Sequence, residues 1–403
     1  MEHYNPIFSK VPTLRFAEFT DEWEKYELSH FVTRITRRNK NNKSSLPLTI
    51  SAQYGLVDQI SFFNKTVASV DLSGYYLLYN GDFAYNKSYS NDYAWGAVKR
   101  LDKYEKGCLS SLYFVFRPND NVDSDYLTHY FESSKWHKGI SNIAGEGARN
   151  HGLLNMSVDD YFATKHCLPS LPEQKKIARF FNAITRRIEI QNKIIEDLKV
   201  LKKELCAKLF GSPLCGRIIA IEQVADIYGG YAFNSKAYVN KGKYKIVTIG
   251  NVTGDKYISG NYNTIDRLPN NIQKPQVLSK GDILVSLTGN VGRISIVDGD
   301  EYLLNQRVAK LGIEDDLTKE YIYQYLSNSS FEKDMINAGQ GAAQKNIKNQ
   351  DILSYCIRFP TDQTALENID KLLSLYDIRI TSEKAILSNL ILQKSYYLRA
   401  MFI

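Results

Sequence analysis

The sequence predicts an α+β protein: two mixed α/β modules joined by two long antiparallel coiled-coil helices, related by an internal repeat with pseudo-twofold symmetry. Three observations lead there. Two segments, Glu173 to Phe210 and Thr361 to Ile403, contain neither proline nor glycine. Both carry the same apolar period at one constant offset. The rest is short β-rich runs, turns and shorter helical stretches. At 403 residues the chain exceeds one ordinary hydrophobic core and suits two domains with added elements. The expected divisions are 1–167 for the first module, 168–212 for the first helix, 213–358 for the second module and 359–403 for the second helix.

In the first segment a 4,3,4,3 spacing from Ile177 selects Ile177, Phe181, Ile184, Ile188, Gln191, Ile195, Leu198, Lys202, Leu205 and Leu209. Adding 192 to each number selects Ile369, Leu373, Tyr376, Ile380, Glu383, Leu387, Leu390, Lys394, Tyr397 and Met401. Sixteen of the twenty are apolar, where an apolar share of 43% would place about eight or nine. A seven-residue apolar repeat held this long is a coiled-coil seam. The polar exceptions coincide as well: Gln191 with Glu383, and Lys202 with Lys394. Two unrelated amphipathic helices in separate cores would not share an offset.

Local signals bound the first helix. Ser170 and Glu173 are spaced as a capping box with Pro172 in the first turn, and Gly211-Ser212-Pro213 stops the helix. As a helix, residues 177–209 span roughly 50 Å, whereas the few residues after Phe210 reach only about 20 Å. The second module is therefore expected at the far end of the first helix. The second helix regains its partner's seam only by running back.

The repeat continues upstream. Tyr126-Leu127 and Tyr130-Phe131 correspond to Tyr321-Ile322 and Tyr325-Leu326, Gly145-Glu146-Gly147-Ala148 to Gly339-Gln340-Gly341-Ala342, and Gly81-Asp82-Phe83 to Gly281-Asp282-Ile283. Residues 35–80 and 230–280 share little. A common framework carrying unlike surfaces is the reading. Within the modules, Gly281 to Thr288 and Arg293 to Val297 read as a hairpin around Gly289-Asn290-Val291-Gly292. Tyr75 to Leu78 and Leu112 to Phe116 read as strands, and Tyr126 to Trp136 and Lys319 to Met335 as helices. A twisted sheet with helices against one side is expected.

Composition narrows the class. Charged residues make up 24% and the formal charge is +7, as in an ordinary globular protein. No apolar run reaches the ~18 residues of a membrane-spanning helix. The opening Met1 to Pro6 is neither basic nor apolar, unlike a secretory signal. The cysteines (Cys108, Cys167, Cys206, Cys215, Cys356) are odd in number without a CxxC pair, which fits a reduced, cytoplasmic protein with no structural zinc. The 28 tyrosines and abundant asparagines, with Lys and Arg, are groups that contact phosphates, sugars and base edges. A β-rich fold with tyrosine on half-buried strands accounts for them equally.

No catalytic or metal-binding pattern is present. There is no GxxxxGK[ST] loop, no HExxH, no nucleophile motif and no Asn-Pro-Pro-aromatic motif; Asn5-Pro6-Ile7 lacks the second proline. Gly229 to Phe233 is not spaced as a nucleotide fingerprint, but its Tyr231 is a candidate DNA-contacting residue. Asp82 and Asp282 head turns, where aspartate is common for local hydrogen bonding. The candidate binding residues are polar, basic and loop-borne. Arg34, Arg37, Arg38, Lys40 and Lys43 form an acid-free run suited to phosphate, although such runs are often only solvated loops. Tyr85, Asn86, Lys87 and Tyr89 follow a strand. Asn290, Arg293, Asn305, Gln306 and Arg307 play the same part in the second module, since Asn and Gln match adenine and Arg matches guanine. Arg149 with His151, and Gln344 with Lys345 and Asn346, follow equivalent glycine turns.

With these features in view, the chain resembles the specificity subunit of type I restriction–modification enzymes. Pro12-Thr13-Leu14-Arg15-Phe16 with Trp23, Leu171-Pro172-Glu173-Gln174-Lys175-Lys176-Ile177, and the helical ends Leu198 to Phe210 and Met401-Phe402-Ile403 carry the resemblance. The second helix start, Phe359-Pro360-Thr361-Asp362-Gln363, departs from the pattern by one residue. The resemblance implies a non-catalytic, cytoplasmic protein whose modules are target recognition domains, each reading half of an asymmetric bipartite site in double-stranded DNA. It implies helices that act as a ruler and dock two methyltransferase subunits, joined by restriction/translocase subunits. S-adenosylmethionine, ATP and Mg are then expected on those partners. The competing classes are a scaffold acting through its coiled coil and a self-sufficient enzyme acting on nucleic acid.

Overall fold

The computed structural model describes residues 10–65, 67–88, 90, 93–144, 153–212, 216–339 and 346–403. Contacts divide the chain into two units, and both divisions fall inside long helices: unit 1 is residues 1–191 with 386–403, and unit 2 is residues 192–385. Among the described residues no helix is long and apolar enough to cross a membrane.

In unit 1 the strands are β1 (Glu24–Glu27), β2 (Val32–Arg34), β3 (Leu48–Ser51), β4 (Gly55–Asp58), β5 (Tyr76–Tyr79), β6 (Phe83–Asn86), β7 (Ala97–Arg100), β8 (Lys106–Leu109), β9 (Phe114–Pro118) and β10 (Lys165–Leu168). A four-stranded sheet runs β2-β9-β6-β7, with β3-β4, β5-β8 and β1-β10 as separate antiparallel pairs. The helices are α1 (Leu28–Phe31), α2 (Gln59–Phe63), α3 (Ser124–Glu132), α4 (His137–Ile143) and α5 (Val158–Phe162), followed by the long α6 (Leu171–Gly211).

Unit 2 repeats the plan. Its strands are β11 (Arg217–Ala220), β12 (Asp226–Gly229), β13 (Tyr244–Val247), β14 (Asn263–Ile265), β15 (Val277–Leu278), β16 (Ile283–Ser286), β17 (Ile294–Ile296), β18 (Tyr302–Leu304), β19 (Val308–Gly312) and β20 (Cys356–Phe359). The sheet β12-β19-β16-β17 matches β2-β9-β6-β7, and β11-β20 matches β1-β10. Helices α7 (Asp316–Leu326), α8 (Ser329–Ala338) and α9 (Asn349–Leu353) match α3, α4 and α5, before the long α10 (Gln363–Ala400). The divergence lies in the second layer. Unit 1 has two separate antiparallel pairs there, β3-β4 and β5-β8, and unit 2 a mixed sheet, β14-β13-β18-β15.

The 281–297 hairpin forms as read, with Ile283 opposite Ile296. The expected single helix from Lys319 to Met335 is two, because the chain extends at Asn328 (φ −71°, ψ 141°) before α8. Ser327 and Asn328 favour local side-chain hydrogen bonding over helix continuation.

The turn aspartates do more than cap turns. Asp82, fully buried, accepts the Tyr79 amide and pairs with Arg37 and Arg117 at 2.8 and 2.6 Å. Asp282 accepts the Ser279 amide and pairs with Lys310 at 2.7 Å. Arg117 and Lys310 lie on equivalent strands, so each module carries the same acid–base tie at the head of its central strand.

Each long helix ends in an aromatic anchor. In unit 1, Phe402 lies 5.5 and 5.8 Å from the rings of Tyr126 and Tyr130, and 5.6 Å from Phe181 of α6. In unit 2, Phe210 lies 5.7 and 4.6 Å from Tyr321 and Tyr325. The tyrosine repeat found in the sequence is thus a pair of sockets. The start of α6 meets the end of α10 in unit 1, and the end of α6 shares a core with Leu366, Ile369 and Leu373 of α10 in unit 2, an antiparallel pairing. None of the sixteen apolar register residues is exposed; Ile177, Phe181, Ile184, Ile195, Leu373, Leu390 and Met401 are buried, the others half-buried.

The expected capping box does not form. The buried Glu173 carboxylate is taken by Arg15 (2.7 and 2.8 Å) and by the Trp23 indole (3.3 Å). The amide of Leu14 and the hydroxyl of Thr13 meanwhile donate to the carbonyl of Ala400 at the end of α10 (3.0 and 3.1 Å). The N-terminal segment therefore straps the start of α6 to the end of α10. Truncating Phe402 to Ala should cost about 3–5 kcal/mol of stability, as for other buried phenylalanines; a urea-unfolding loss under about 1 kcal/mol would contradict its role as anchor.

Lys394 of α10 reaches Glu132 of α3 at 2.9 Å, and His129 faces the same carboxylate at 3.2 Å. Burial alone would raise the Glu132 pKa, but the His129 hydrogen bond and the charge of Lys394 outweigh it and hold it at about 2. A carboxylate depressed on folding contributes stability above the ordinary range near ~4.3 that is lost as pH falls through the folded value. Glu132→Gln should therefore destabilise by about 1–3 kcal/mol at neutral pH and converge with the parent protein near pH ~2, measured by urea midpoints across pH.

Candidate nucleic-acid interface

In unit 2, backbone hydrogen bonds gather four segments distant in sequence. The Tyr231 amide donates to the carbonyl of Leu304 (2.8 Å) and the Gln306 amide to that of Tyr231 (3.0 Å). The Leu287 amide donates to Arg307 and the Ile347 amide to Leu287, both at 3.0 Å. Thr288 forms a bridge with Asn346. Tyr231, Asn290, Asn305, Gln306 and Asn346 therefore share one end of the central sheet. Asn290, Gln306, Arg307 and Asn346 are exposed there. The Tyr231 hydroxyl donates to Asn271 (2.7 Å), an exposed residue that no motif or spacing marks. Asn305 is half-buried and accepts the Arg307 amide at 3.4 Å in a local turn. Arg293 is half-buried and pairs with Glu332 at 3.2 Å, which orients it beside this edge rather than in it.

Unit 1 is pinned in the same way. The Leu154 amide donates to the carbonyl of Lys87 (2.9 Å), and Ser88 bridges Leu153, as Ile347 does with Leu287 and Thr288 with Asn346. The side chains differ. Lys87 lies over the Phe114 ring at 5.2 Å, and Asn86 accepts the amide of Ser88 at 3.0 Å in a local turn. Counted from the strand pairing of β6 with β9 and of β16 with β19, the exposed Ser111 and Leu112 occupy the places of Gln306 and Arg307.

Tyr85 is a correction. Its ring is wholly buried, stacked 4.7 Å from Tyr161, and its hydroxyl donates to the carbonyl of Trp95 (2.9 Å). A base-stacking residue must present a face, and this one lines the core because β6 is buried on both sides. Arg37 is a second correction. Its guanidinium is engaged by Asp82 and by the carbonyl of Leu77 (3.0 Å), with Tyr79 beneath it at 4.4 Å. Arg38 is exposed but tethered to the carbonyl of Gly74 (2.7 Å) over the Tyr76 ring. Arg34, Lys40 and Lys43 are exposed.

The 39–44 loop is built rather than loose. The buried Asn39 amide grips the backbone of Ser44 in both directions, at 2.8 and 3.0 Å. Asn41 and Asn42, both left-handed (φ 59° and 49°), are exposed at its tip, a conformation asparagine tolerates better than most residues. The sequence reading passed over all three asparagines. Tyr89, Arg149, His151, Gln344 and Lys345 lie outside the described residues. Among the described residues no group of three or more His, Cys, Asp or Glu is placed to hold a metal ion.

Comparison with known proteins follows the same division. The model of the type I restriction modification DNA specificity domain matches the chain twice, over residues 21–200 and 217–391. The MjaVIII type I restriction enzyme specificity subunit of Methanocaldococcus jannaschii is 26% identical over 303 residues, spanning 67% of this chain and 69% of that protein. The putative MjaX specificity subunit of the same organism is 23% identical over 375 residues, 85% of this chain and 84% of its own. Among solved structures, the type I restriction–modification S subunit from M. genitalium superposes with a TM-score of 0.54 at 16% identity, covering 98% of this chain and 99% of that one. A chain from a structure of complex assembly and conformational transition in the type I system gives 0.53 at 18% identity, covering 93% and 96%. These two likenesses show a shared fold. The double family match spans most of the sequence, and the chain belongs to the type I restriction–modification DNA specificity family, as its sequence-reading, non-catalytic subunit.

Proposed function

We propose that each module reads one half of an asymmetric bipartite target in double-stranded DNA, with residues 1–167 and 213–358 as the two recognition domains and the long helices as the ruler between them. One observation carries this reading. The same backbone frame presents Gln306, Arg307 and Asn346 in one module and Ser111, Leu112 and Leu153 in the other. Unlike side chains on like frames imply unlike half-sites. Arg34, Lys40 and Lys43 supply phosphate contacts that set register, and Asn290, Gln306 and Arg307 supply base contacts.

The outward faces of the helices bind methyltransferase subunits. In unit 2, Ile194, Leu201, Leu375 and Ile378 are exposed; in unit 1, Ile386, Leu392 and Tyr396 are. Apolar side chains repeated along exposed helix faces favour a protein partner. S-adenosylmethionine, ATP and Mg belong to those methyltransferase and restriction/translocase subunits, and the assembly works in the cytoplasm. A scaffold acting only through its helices would leave the repeated frame with unlike edges unexplained.

Exchanging residues 30–150 for another family member's module should change one half-site of the methylated sequence and leave the other intact; an unaltered sequence in a folded exchange would refute the modular reading. Gln306→Ala and Arg307→Ala should each relax one base position in the other half-site, losing about 1–3 kcal/mol of discrimination. Mapping methylated adenines in cells that also express the methyltransferase partner reads both. Degeneracy spread evenly over both half-sites would place these side chains in a phosphate-contacting role instead.

A further inference from the structure

Lysine is unfavourable in an apolar seam, yet Lys202 and Lys394 hold the same register position in the two helices. In unit 2, Lys202 donates to the carboxylate of Asp377 on α10, which is only 8% exposed. The second oxygen of Asp377 accepts from Gln324 of α7 at 2.8 Å and lies 3.5 Å from the ammonium of Lys256. Lys256 belongs to a segment hydrogen-bonded to β17 through Ile296 (2.7 Å), and it also pairs with Glu320 of α7 at 3.1 Å. Its ammonium stays charged: burial lowers its pKa, but the charges of Glu320 and Asp377 raise it further. One buried carboxylate thus ties both long helices to two separate parts of the module.

Unit 1 has a tie at the equivalent place. Lys394 reaches Glu132 of α3, His129 joins Glu132 to Asn182 of α6 (2.8 Å), and Asn182 donates to Asp125 (2.9 Å). By the repeat, Lys394 corresponds to Lys202, Asn182 to Ser374, His129 to Gln324 and Asp125 to Glu320. Ser374 donates to Glu320 at 3.4 Å, as Asn182 does to Asp125. The acid alone has changed sides. Glu132 corresponds to Ser327, and Asp377 to Thr185. Two different carboxylates thus complete the same lysine-centred bracket.

Stability does not require such a bracket. A buried ion pair replaced by apolar side chains of similar volume is often as stable or more so, and what a charged pair adds is a defined geometry. Apolar surfaces tolerate repacking and small sliding, whereas a carboxylate shared by donors from three elements admits one arrangement. We propose that the seam lysines are positioning residues: Lys202 with Asp377, and Lys394 with Glu132, fix the angle of each recognition module on the helix pair and so restrict the protein to one spacer length between half-sites. This rests on the bipartite reading above.

The test replaces Lys202→Met together with Asp377→Leu in the full chain, expressed with its methyltransferase partner. Lys256 and Gln324 keep Glu320 as a partner, so no buried charge is stranded. The bases of both half-sites should stay the same and the thermal midpoint should not fall, while preference for the native spacer over spacers one base pair longer or shorter drops about tenfold or more. Should the double variant fail to fold, Asp377→Asn carries the test, because it keeps the shape of the carboxylate and removes its charge. A merely structural role would move the thermal midpoint and leave spacer choice alone. A folded variant that keeps strict spacer choice overturns the inference and spares the bipartite reading. A parent target with no spacer overturns both.

Discussion

The burial of a helix-terminal phenylalanine against a tyrosine pair is the interaction on which the rest of the molecule depends. Phe402 in unit 1 and Phe210 in unit 2 each carry the end of a 41- or 38-residue helix into a module core. A helix of this length has only a narrow apolar face and cannot hold itself in place without tertiary packing. Seated by its terminal ring, it brings the seam of its partner into register. Because the anchor and socket recur at a near-constant offset, the same packing problem is solved twice with the same residue types.

The residues that carry the family resemblance in the sequence are mostly the ones that hold this arrangement together. Arg15 and Trp23 close on Glu173, and Gln174 of the same Leu-Pro-Glu-Gln motif accepts the Asp123 amide at 2.8 Å, tying the start of α6 to α3. Thr13 and Leu14 cap the end of α10. A motif that identifies the protein is therefore a staple, not a reading surface. The sheet edges proposed to read DNA are where likeness between the two modules stops: exposed Gln306 and Arg307 on one frame, exposed Ser111 and Leu112 on the other. That separation lets recognition vary without disturbing the core.

Polar groups inside the modules follow the same economy of position. Asp82 and Asp282 each tie the turn before the central strand to a basic residue on the neighbouring strand. Arg37, which stands in a basic run, is drawn into the first of these ties. Charge that reads as a binding patch in one dimension is thus partly internal. What is left facing outward in that run is Arg34 at the end of β2, the tethered Arg38, and Lys40 and Lys43, the last two on a loop whose shape Asn39 sets.

From the sequence alone came the long helices, their seam, the tyrosine repeat and the 281–297 hairpin, because periodicity and turn chemistry are local and are written directly in residue order. The break between α7 and α8 was equally local but was overridden by an apolar period that continued across it. The tertiary structure alone decided which polar residues face out. Tyr85 looked like a stacking group because it sits between a strand and a basic stretch, and only the packing of α5 over β6 shows that its ring is enclosed by Tyr161. Asn271 joins Tyr231, and Leu112 stands where Arg307 does, through strand pairings between residues far apart in the chain. Such pairings leave no spacing signal in the sequence, since long-range contact depends on where whole elements dock rather than on any one residue's neighbours.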